Sequence, residues 1–261
     1  MINLNNKDIL DIAIRQSAWD LNAQPEDFFK DKYVIADWGL GEKARVYYSE
    51  PIAFNIVYYG KNIVASSRPE YKELLAEYIG RFEPYHLFEY PNMAWLNKRL
   101  DAFGQSVCFF AEYWLPDLTR LRELPCEYEI RVLGKEDFKD LYKDEWSNAL
   151  CEKRKEYDVL AAGAYDGGRL VGLAGCSADC ADMWQIGVDV LPEYRRKGIA
   201  SAVTSRLAIE ILKRNKVPFY CCAWSNLKSV RNAIKSGFTP SWVEMTAKPA
   251  KIVDEINKDE K

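Results

Sequence analysis

Three consecutive cations and a glycine stand in the stretch PEYRRKGIAS, residues 192–201. Arg195, Arg196 and Lys197 carry positive charge at neutral pH, and arginine can hold a phosphate through two parallel hydrogen bonds. Gly198 has no side chain to block the approach of an anion. These residue types predict a phosphate-binding turn, although a solvated basic turn would have the same composition.

A phosphate-binding turn of this kind needs a strand that leads in and a helix that leads out, because the helix N-terminus supplies backbone N–H groups and partial positive charge. The segment MWQIGVDV at 183–190 is predicted to be a strand. The following segment has apolar residues at helical spacing: Ala200, Val203, Leu207 and Ile211. The flanking order therefore favours the phosphate site. Neither G-x-x-x-x-G-K-[ST] nor G-x-G-x-x-G occurs, which argues against P-loop and dinucleotide-binding proteins.

The surrounding elements are also predicted. In the second half, DVLAAGAY and RLVGLAGCS are strands joined by Asp-Gly-Gly at 166–168, a hairpin signal. FYCCAW is a strand, a helix runs to Gly237, SWVEMTA is a strand, and the charged DEINKDEK is expected to fray. In the first half, helices are expected in NNKDILDIAIRQSAW, RPEYKELLAEYIG and PNMAWLNKRLDAFG, and strands in ARVYYSEPIAFNIVYYGKNIVASS and SVCFFAEYWL.

Two prolines bracket LPDLTRLRELPCE, and proline commonly ends regular structure. We therefore expect an N-terminal α/β domain at 1–115, a linker at 116–126 and a second domain at 127–261.

The second half resembles the GNAT superfamily of acyl-CoA-dependent N-acyltransferases. RRKGIA at 195–200 matches that family's pyrophosphate loop, [QR]-x-x-G-x-[GA]. IGVDVLPEYR is similar to its fourth strand and NLKSVRNAIKSGF to its last helix, and the likeness covers residues 127–246. It implies an α/β (α+β) fold with a mixed, mostly antiparallel sheet flanked by helices. The smaller α/β domain before it is similar to the degenerate second copy in some two-domain members.

The resemblance implies that acetyl-CoA is the co-substrate and that no metal is needed. Backbone N–H groups of the loop would hold its pyrophosphate, strand backbone groups would hold the pantetheine arm, and the start of the last helix would support the arm or the local turn. The residues expected to bind acetyl-CoA are Val188, Val190, Arg195, Arg196, Lys197, Gly198, Ile199, Ala200, Ser201, Asn226 and Ser229.

The chemistry implied is direct attack of a primary amine of a small molecule on the acetyl thioester. Members often place an acid tyrosine where this chain has Ala233, and a base glutamate where it has Trp184. Asp182 is the nearest carboxylate, has the same strand parity and is the candidate base, with a plain turn aspartate and water-mediated deprotonation as the alternatives. Solvent, Ser229 or no group at all stays open as the acid. The alternatives are a non-catalytic acetyl-CoA-binding or regulatory protein and an interaction module whose basic turn meets an acidic partner.

Composition limits the classes of protein and the kinds of site that the sequence allows. A net charge of −3 argues against a general nucleic-acid binder. The seven cysteines have no metal or redox spacing, and a single histidine, His86, excludes a zinc site of several histidines. We expect no membrane span, no secretory leader and a cytoplasmic protein. A homodimer is compatible with the sequence, which contains no feature that decides the oligomeric state.

Overall fold

A computed structural model describes residues 2–46 and 51–259 of the chain. The chain forms two compact units. Unit 1 comprises Met1–Ala13 and Tyr113–Pro240, and unit 2 comprises Ile14–Glu112 and Ser241–Lys261. These bounds differ from the domain division expected from the sequence, because each unit combines residues from both halves of the chain.

The regular elements alternate along the chain. The helices are α1 (Asn6–Asp20), α2 (Lys72–Arg81), α3 (Tyr90–Leu100), α4 (Ile199–Leu212), α5 (Leu227–Lys235) and α6 (Ala250–Asp259). The strands are β1 (Val34–Asp37), β2 (Phe54–Tyr58), β3 (Ile63–Ser67), β4 (Gln105–Pro116), β5 (Glu129–Gly134), β6 (Asp158–Asp166), β7 (Arg169–Ser177), β8 (Met183–Val190), β9 (Val217–Cys222) and β10 (Phe238–Pro249). Helix α1 and strands β4 and β10 each begin in one unit and end in the other.

Unit 1 is built on a sheet with the strand order β9-β8-β7-β6-β5. Neighbouring strands are antiparallel except β8 and β9, which are parallel. Helix α4 covers one face, where Val203, Leu207 and Ile211 are fully buried in the core. The predicted apolar stripe of this helix is therefore its core-facing side, and its N-terminus is fixed relative to β8.

The other face of the unit 1 sheet is covered by the segment between β5 and β6, which buries Phe138 and Trp146. This segment approaches the sheet closely at Gly187, where an added Cβ would lie 1.8 Å from the carbonyl oxygen of Asn148. The Asp189 carboxylate holds the segment by accepting hydrogen bonds from the backbone N–H groups of Asn148 and Ala149, both at 2.9 Å. Asn148 is therefore fixed beside β8 by backbone contacts.

Unit 2 has the strand order β1-β3-β2-β10. Strands β1 and β3 are parallel, whereas β2 pairs in antiparallel fashion with β3 and β10. Its core contains a buried ionic cluster in which Arg45 contacts Asp20 at 2.5 Å and Glu244 at 2.6 Å, with all three side chains 1–2% exposed. This cluster connects helix α1 to strand β10.

The structure confirms the mixed α/β fold with a mostly antiparallel sheet flanked by helices. The hairpin at 166–168 and the strand–turn–helix around 192–201 form as predicted. The expectation that 254–261 frays is wrong for residues up to Asp259, because they belong to helix α6. Residues 47–50 of the predicted strand segment lie outside the described residues. No helix in the described ranges has the length and apolar character needed to span a membrane.

Candidate functional site

A cavity of about 1000 Å³ opens in unit 1 at the point where β8 and β9 stop pairing. The parallel register runs from the pair Met183–Val217 to the pair Ile186–Tyr220, and both strands continue beyond it. The cavity is lined by residues of β8, β9, α5 and the turn before α4: Asn148, Gln185, Ile186, Gly187, Val188, Asp189, Val190, Pro192, Arg195, Arg196, Ala200, Tyr220, Cys221, Cys222, Asn226, Lys228, Ser229, Arg231 and Asn232.

The turn before α4 leaves backbone N–H groups at the start of the helix without intrahelical acceptors. Arg196 and Gly198 both have positive φ, 65° and 83°, a conformation that favours glycine and is uncommon for arginine. The N–H of Ala202 makes the first intrahelical bond, to the carbonyl of Gly198 at 3.1 Å. The N–H groups of the three preceding helical residues have no intrahelical acceptor, so the turn has the geometry of an anion site.

The three consecutive cations of this turn point to different places. Arg195 and Arg196 line the cavity, and the Nε of Arg195 donates to the carbonyl of Val190 at 3.0 Å. Lys197 is outside the set of lining residues: its Nζ donates to the Tyr128 hydroxyl at 3.1 Å and lies 4.9 Å from the ring centroid of Tyr194. The arginines, and not the lysine, are therefore the side chains positioned to meet an anion in the cavity.

Several other expected residues also line the cavity: Val188, Val190, Ala200, Asn226 and Ser229. Asn226 caps α5, where its Oδ1 accepts from the N–H of Ser229 at 3.3 Å. Ile199 and Ser201 are buried and are not lining residues, and the Ser201 hydroxyl donates to the carbonyl of Gly198 at 3.0 Å. Gly198 itself contributes backbone to the turn.

Of the positions named for proton transfer, Ser229 lines the cavity, whereas Asp182, Trp184 and Ala233 are not lining residues. Asp182 precedes the first residue of β8, at the opposite end of the strand from Val190, and its carboxylate is 3.5 Å from the Nζ of Lys216. Trp184 packs against the core on the α4 face, and Ala233 is fully buried in that core. The structure therefore does not bring Asp182 together with the other predicted site residues.

The carboxylate among the described lining residues is that of Asp189. In addition to its two backbone donors it accepts from the Nδ2 of Asn148 at 2.7 Å. Three donors thus fix the orientation of this carboxylate and of the segment that donates to it. We therefore interpret Asp189 as the residue that positions Asn148 at the cavity wall.

Tyr220 is a lining residue that sequence reasoning did not single out. Its hydroxyl lies 2.7 Å from the Oγ of Ser229, and burial raises the pKa of the phenol. The resemblance places the acid tyrosine on the last helix, at the position of Ala233, whereas Tyr220 lies on the preceding strand. The signal was a tyrosine in the apolar segment FYCCAW, which periodicity assigns to a core strand.

The charges that line the cavity are mostly positive. Lys228 and Arg231 of α5 join Arg195 and Arg196, against the single carboxylate of Asp189. Such a surface attracts a ligand with several negative charges. In the described part of the chain, no group of three or more His, Cys, Asp or Glu side chains could hold a metal ion.

Parallel strands that separate beside a helix N-terminus define a site of the GNAT type. The chain belongs to the GNAT acetyltransferase family, whose model matches residues 62–242. The match extends well beyond the likeness at 127–246 and includes part of the expected N-terminal domain.

Solved structures of GNAT proteins are similar to this chain. A GNAT-family acetyltransferase from Novosphingobium aromaticivorans is 21% identical, with 55% of this chain and 66% of that chain covered and a TM-score of 0.41. A GCN5-related N-acetyltransferase-like protein from Streptococcus suis is 18% identical, with 72% of each chain covered and a TM-score of 0.43. The chain thus spans slightly less than two thirds of the length of the Novosphingobium aromaticivorans protein. No curated protein matches the sequence.

Proposed function

We propose that the protein transfers an acetyl group from acetyl-CoA to a primary amine of a small molecule by direct attack. The observation that carries this proposal is the cavity between the diverging strands, with the anion-binding turn at its open end. Phosphate groups at the turn and a linear arm along β8 would fill the two parts of this cavity. Localisation in the cytoplasm and a homodimer stay predictions.

The positive lining suits the charge of CoA, which carries a pyrophosphate and a further phosphate. The N–H groups before Ala202 and the guanidinium groups of Arg195 and Arg196 would hold the pyrophosphate. The described β9 register ends at Ile186, so the β9-facing edge of residues 187–190 would hydrogen-bond the amide groups of the pantetheine arm.

The amine must lose its ammonium proton before it attacks the thioester carbonyl. Asp189 is an unsuitable base, because its oxygens already accept three hydrogen bonds. We propose that water removes this proton and that the cavity accelerates the reaction mainly by holding the two substrates in contact.

A non-catalytic acetyl-CoA-binding protein is the second candidate function. It is favoured by Trp184 and Ala233. These core residues occupy the positions where members of the family often have the base and the acid, respectively. The two candidates differ in one measurable respect, because only the enzyme releases free thiol in the presence of an amine.

Titration calorimetry with acetyl-CoA tests the proposal, followed by a thiol-release screen with aminoglycosides, polyamines, amino acids and peptide amines. Binding together with thiol release supports the transferase. If acetyl-CoA binds but none of these amine classes causes thiol release, the result supports the non-catalytic alternative. If heat of binding is absent up to millimolar acetyl-CoA, both candidates are wrong.

The α5 cations give a sharper prediction. Replacing both Lys228 and Arg231 by alanine should weaken acetyl-CoA binding about 30-fold, because two partly exposed phosphate contacts contribute about 1 kcal/mol each. Calorimetry at low and high salt measures the loss, which should shrink as salt rises.

The matched control is Lys213→Ala with Arg214→Ala, which removes the same charge from side chains that pair with Glu210 outside the cavity. It should change the affinity less than about twofold, since only the long-range field is altered. Equal losses in both double variants would show that overall charge, and not contact with the ligand, explains the effect.

A further inference from the structure

Tyr220 closes the inner end of the cavity. It is the last β9 residue in register with β8, opposite Ile186, and the strands diverge beyond this pair. Its side chain is 3% exposed and packs in the core of unit 1, with its ring centroid 6.2 Å from that of Phe238. Because the ring is fixed by packing, the hydroxyl has a defined position in the cavity wall.

The hydroxyl of Tyr220 has two polar partners, the side chains of Ser229 and Asn232. It lies 2.7 Å from the Oγ of Ser229, whose backbone N–H donates to the Asn226 side chain. All four residues line the cavity. When the Ser229 hydroxyl donates to the phenol oxygen, the Tyr220 O–H is free to donate to a ligand.

A linear ligand anchored at the turn reaches this hydroxyl. Val190 is next to the turn through its carbonyl contact with Arg195, and Ile186 lies about 13 Å away along β8 at a strand rise of ~3.3 Å per residue. The phosphates of acetyl-CoA at the turn and its arm along residues 187–190 would bring the thioester sulfur to the Ile186–Tyr220 pair.

This inference rests on the proposed function and assigns a role in the reaction. We propose that the Tyr220 hydroxyl, oriented by Ser229, donates a hydrogen bond to the sulfur of CoA while the thioester bond breaks. The amine nitrogen forms a bond to the carbonyl carbon, the carbon–sulfur bond breaks, and its electron pair moves to sulfur. The nitrogen loses its proton to water, and water later supplies the proton of the free thiol, so atoms and charges balance.

Tyr220 acts as a hydrogen-bond donor and keeps its own proton. Burial raises the pKa of its phenol from a usual value of 10.0. A thiol titrates near pH ~8.5, so transfer of the phenolic proton to the thiolate is unfavourable. Donation without transfer still stabilises the developing negative charge, because a hydrogen bond to a charged group is stronger than one to a neutral group.

The test measures the thiol of bound CoA and needs no amine. The ultraviolet absorbance of the thiolate is titrated against pH for CoA bound to the wild type, to Tyr220→Phe and to Tyr113→Phe. In the wild type the bound thiol should titrate below free CoA, and Tyr220→Phe should move the midpoint up by about one pH unit, the effect of one charge-assisted hydrogen bond. Tyr113 is also 3% exposed and lies in unit 1, but it is not a lining residue. Tyr113→Phe should therefore leave the midpoint unchanged.

Ser229→Ala is the second variant and removes only a half-buried hydroxyl, so folding is preserved. It should raise the midpoint in the same direction by a smaller amount, because the phenol loses its orienting partner. Once an amine is found, Tyr220→Phe should lower kcat about tenfold with little change in the KM for acetyl-CoA. With an acetyl thioester of a more acidic thiol as the donor, Tyr220→Phe should recover most of the lost kcat.

The outcomes separate this inference from the proposed function. If CoA binds to the wild type and the midpoint does not move in Tyr220→Phe or Ser229→Ala, the role of Tyr220 is wrong and the CoA site stands. If the wild type does not bind CoA, the proposed function and this inference both fail.

Discussion

Gly198→Glu should abolish acetyl-CoA binding while the protein stays folded. The substitution places a carboxylate at the turn whose N–H groups and guanidinium groups are expected to hold the pyrophosphate. A Cβ at this position would meet only the Nζ of Lys235, at 3.8 Å, so the side chain has room. Charge repulsion and loss of the approach path should weaken binding at least about 100-fold, a change of ~2.7 kcal/mol or more. Calorimetry measures it.

Gly168→Glu is the matched control for this variant. Gly168 has a φ of 91°, close to the 83° of Gly198, and lies at the hairpin between β6 and β7 with open space around it. Both substitutions therefore cause a similar backbone strain, and the unfolding curves of the two variants should agree. Normal binding by a folded Gly198→Glu protein would show that the turn is not the phosphate site.

Arg45→Met should lower the free energy of unfolding by about 3–5 kcal/mol, because it removes the guanidinium from a buried cluster and leaves two carboxylates in the protein interior. Burial already raises the pKa of Asp20, and the positive charge of Arg45 opposes that rise. Without Arg45 the pKa of Asp20 should rise further, so this carboxyl should take up a proton more readily and the loss should be smaller at pH 5 than at pH 7. Urea unfolding at both pH values tests both statements.

Arg131→Met is the control for the buried cluster. Arg131 pairs with Glu129 at 2.6 Å, but both side chains are about half exposed. Its removal should change stability by less than about 0.5 kcal/mol. A loss below about 1 kcal/mol for Arg45→Met would mean that the cluster contributes no more than a surface pair.

The turn at 192–201 could be predicted from the sequence because its signals are local. Gly198 supplies a left-handed conformation, the apolar spacing from Ala200 to Ile211 specifies the helix, and the segment before the turn is rich in apolar and β-branched residues. Asn226 was expected at the site only through the family resemblance, and the structure shows that it caps α5. The residues at the open end of the cavity were therefore within reach of sequence reasoning.

The inner end of the cavity could not be predicted, because it depends on where two strands stop pairing. Tyr220 is a site residue only because the β8–β9 register ends beside it. Asn148 reaches the cavity through its contacts with Asp189, which is distant in sequence. The unit bounds depend in the same way on long-range pairing, since the last part of β10 pairs with β2.

The pairing of β10 with β2 determines when the sheet of unit 2 can form during synthesis. Strand β2 is synthesised long before its partner segment Val243–Ala247, which lies far along the chain from it. Until then one edge of β2, four of whose five residues become buried, has no native strand beside it. An open apolar edge is prone to pair with other chains. Nascent chains and truncated products that end before Val243 should therefore aggregate, and they should depend on chaperones more than the finished protein does.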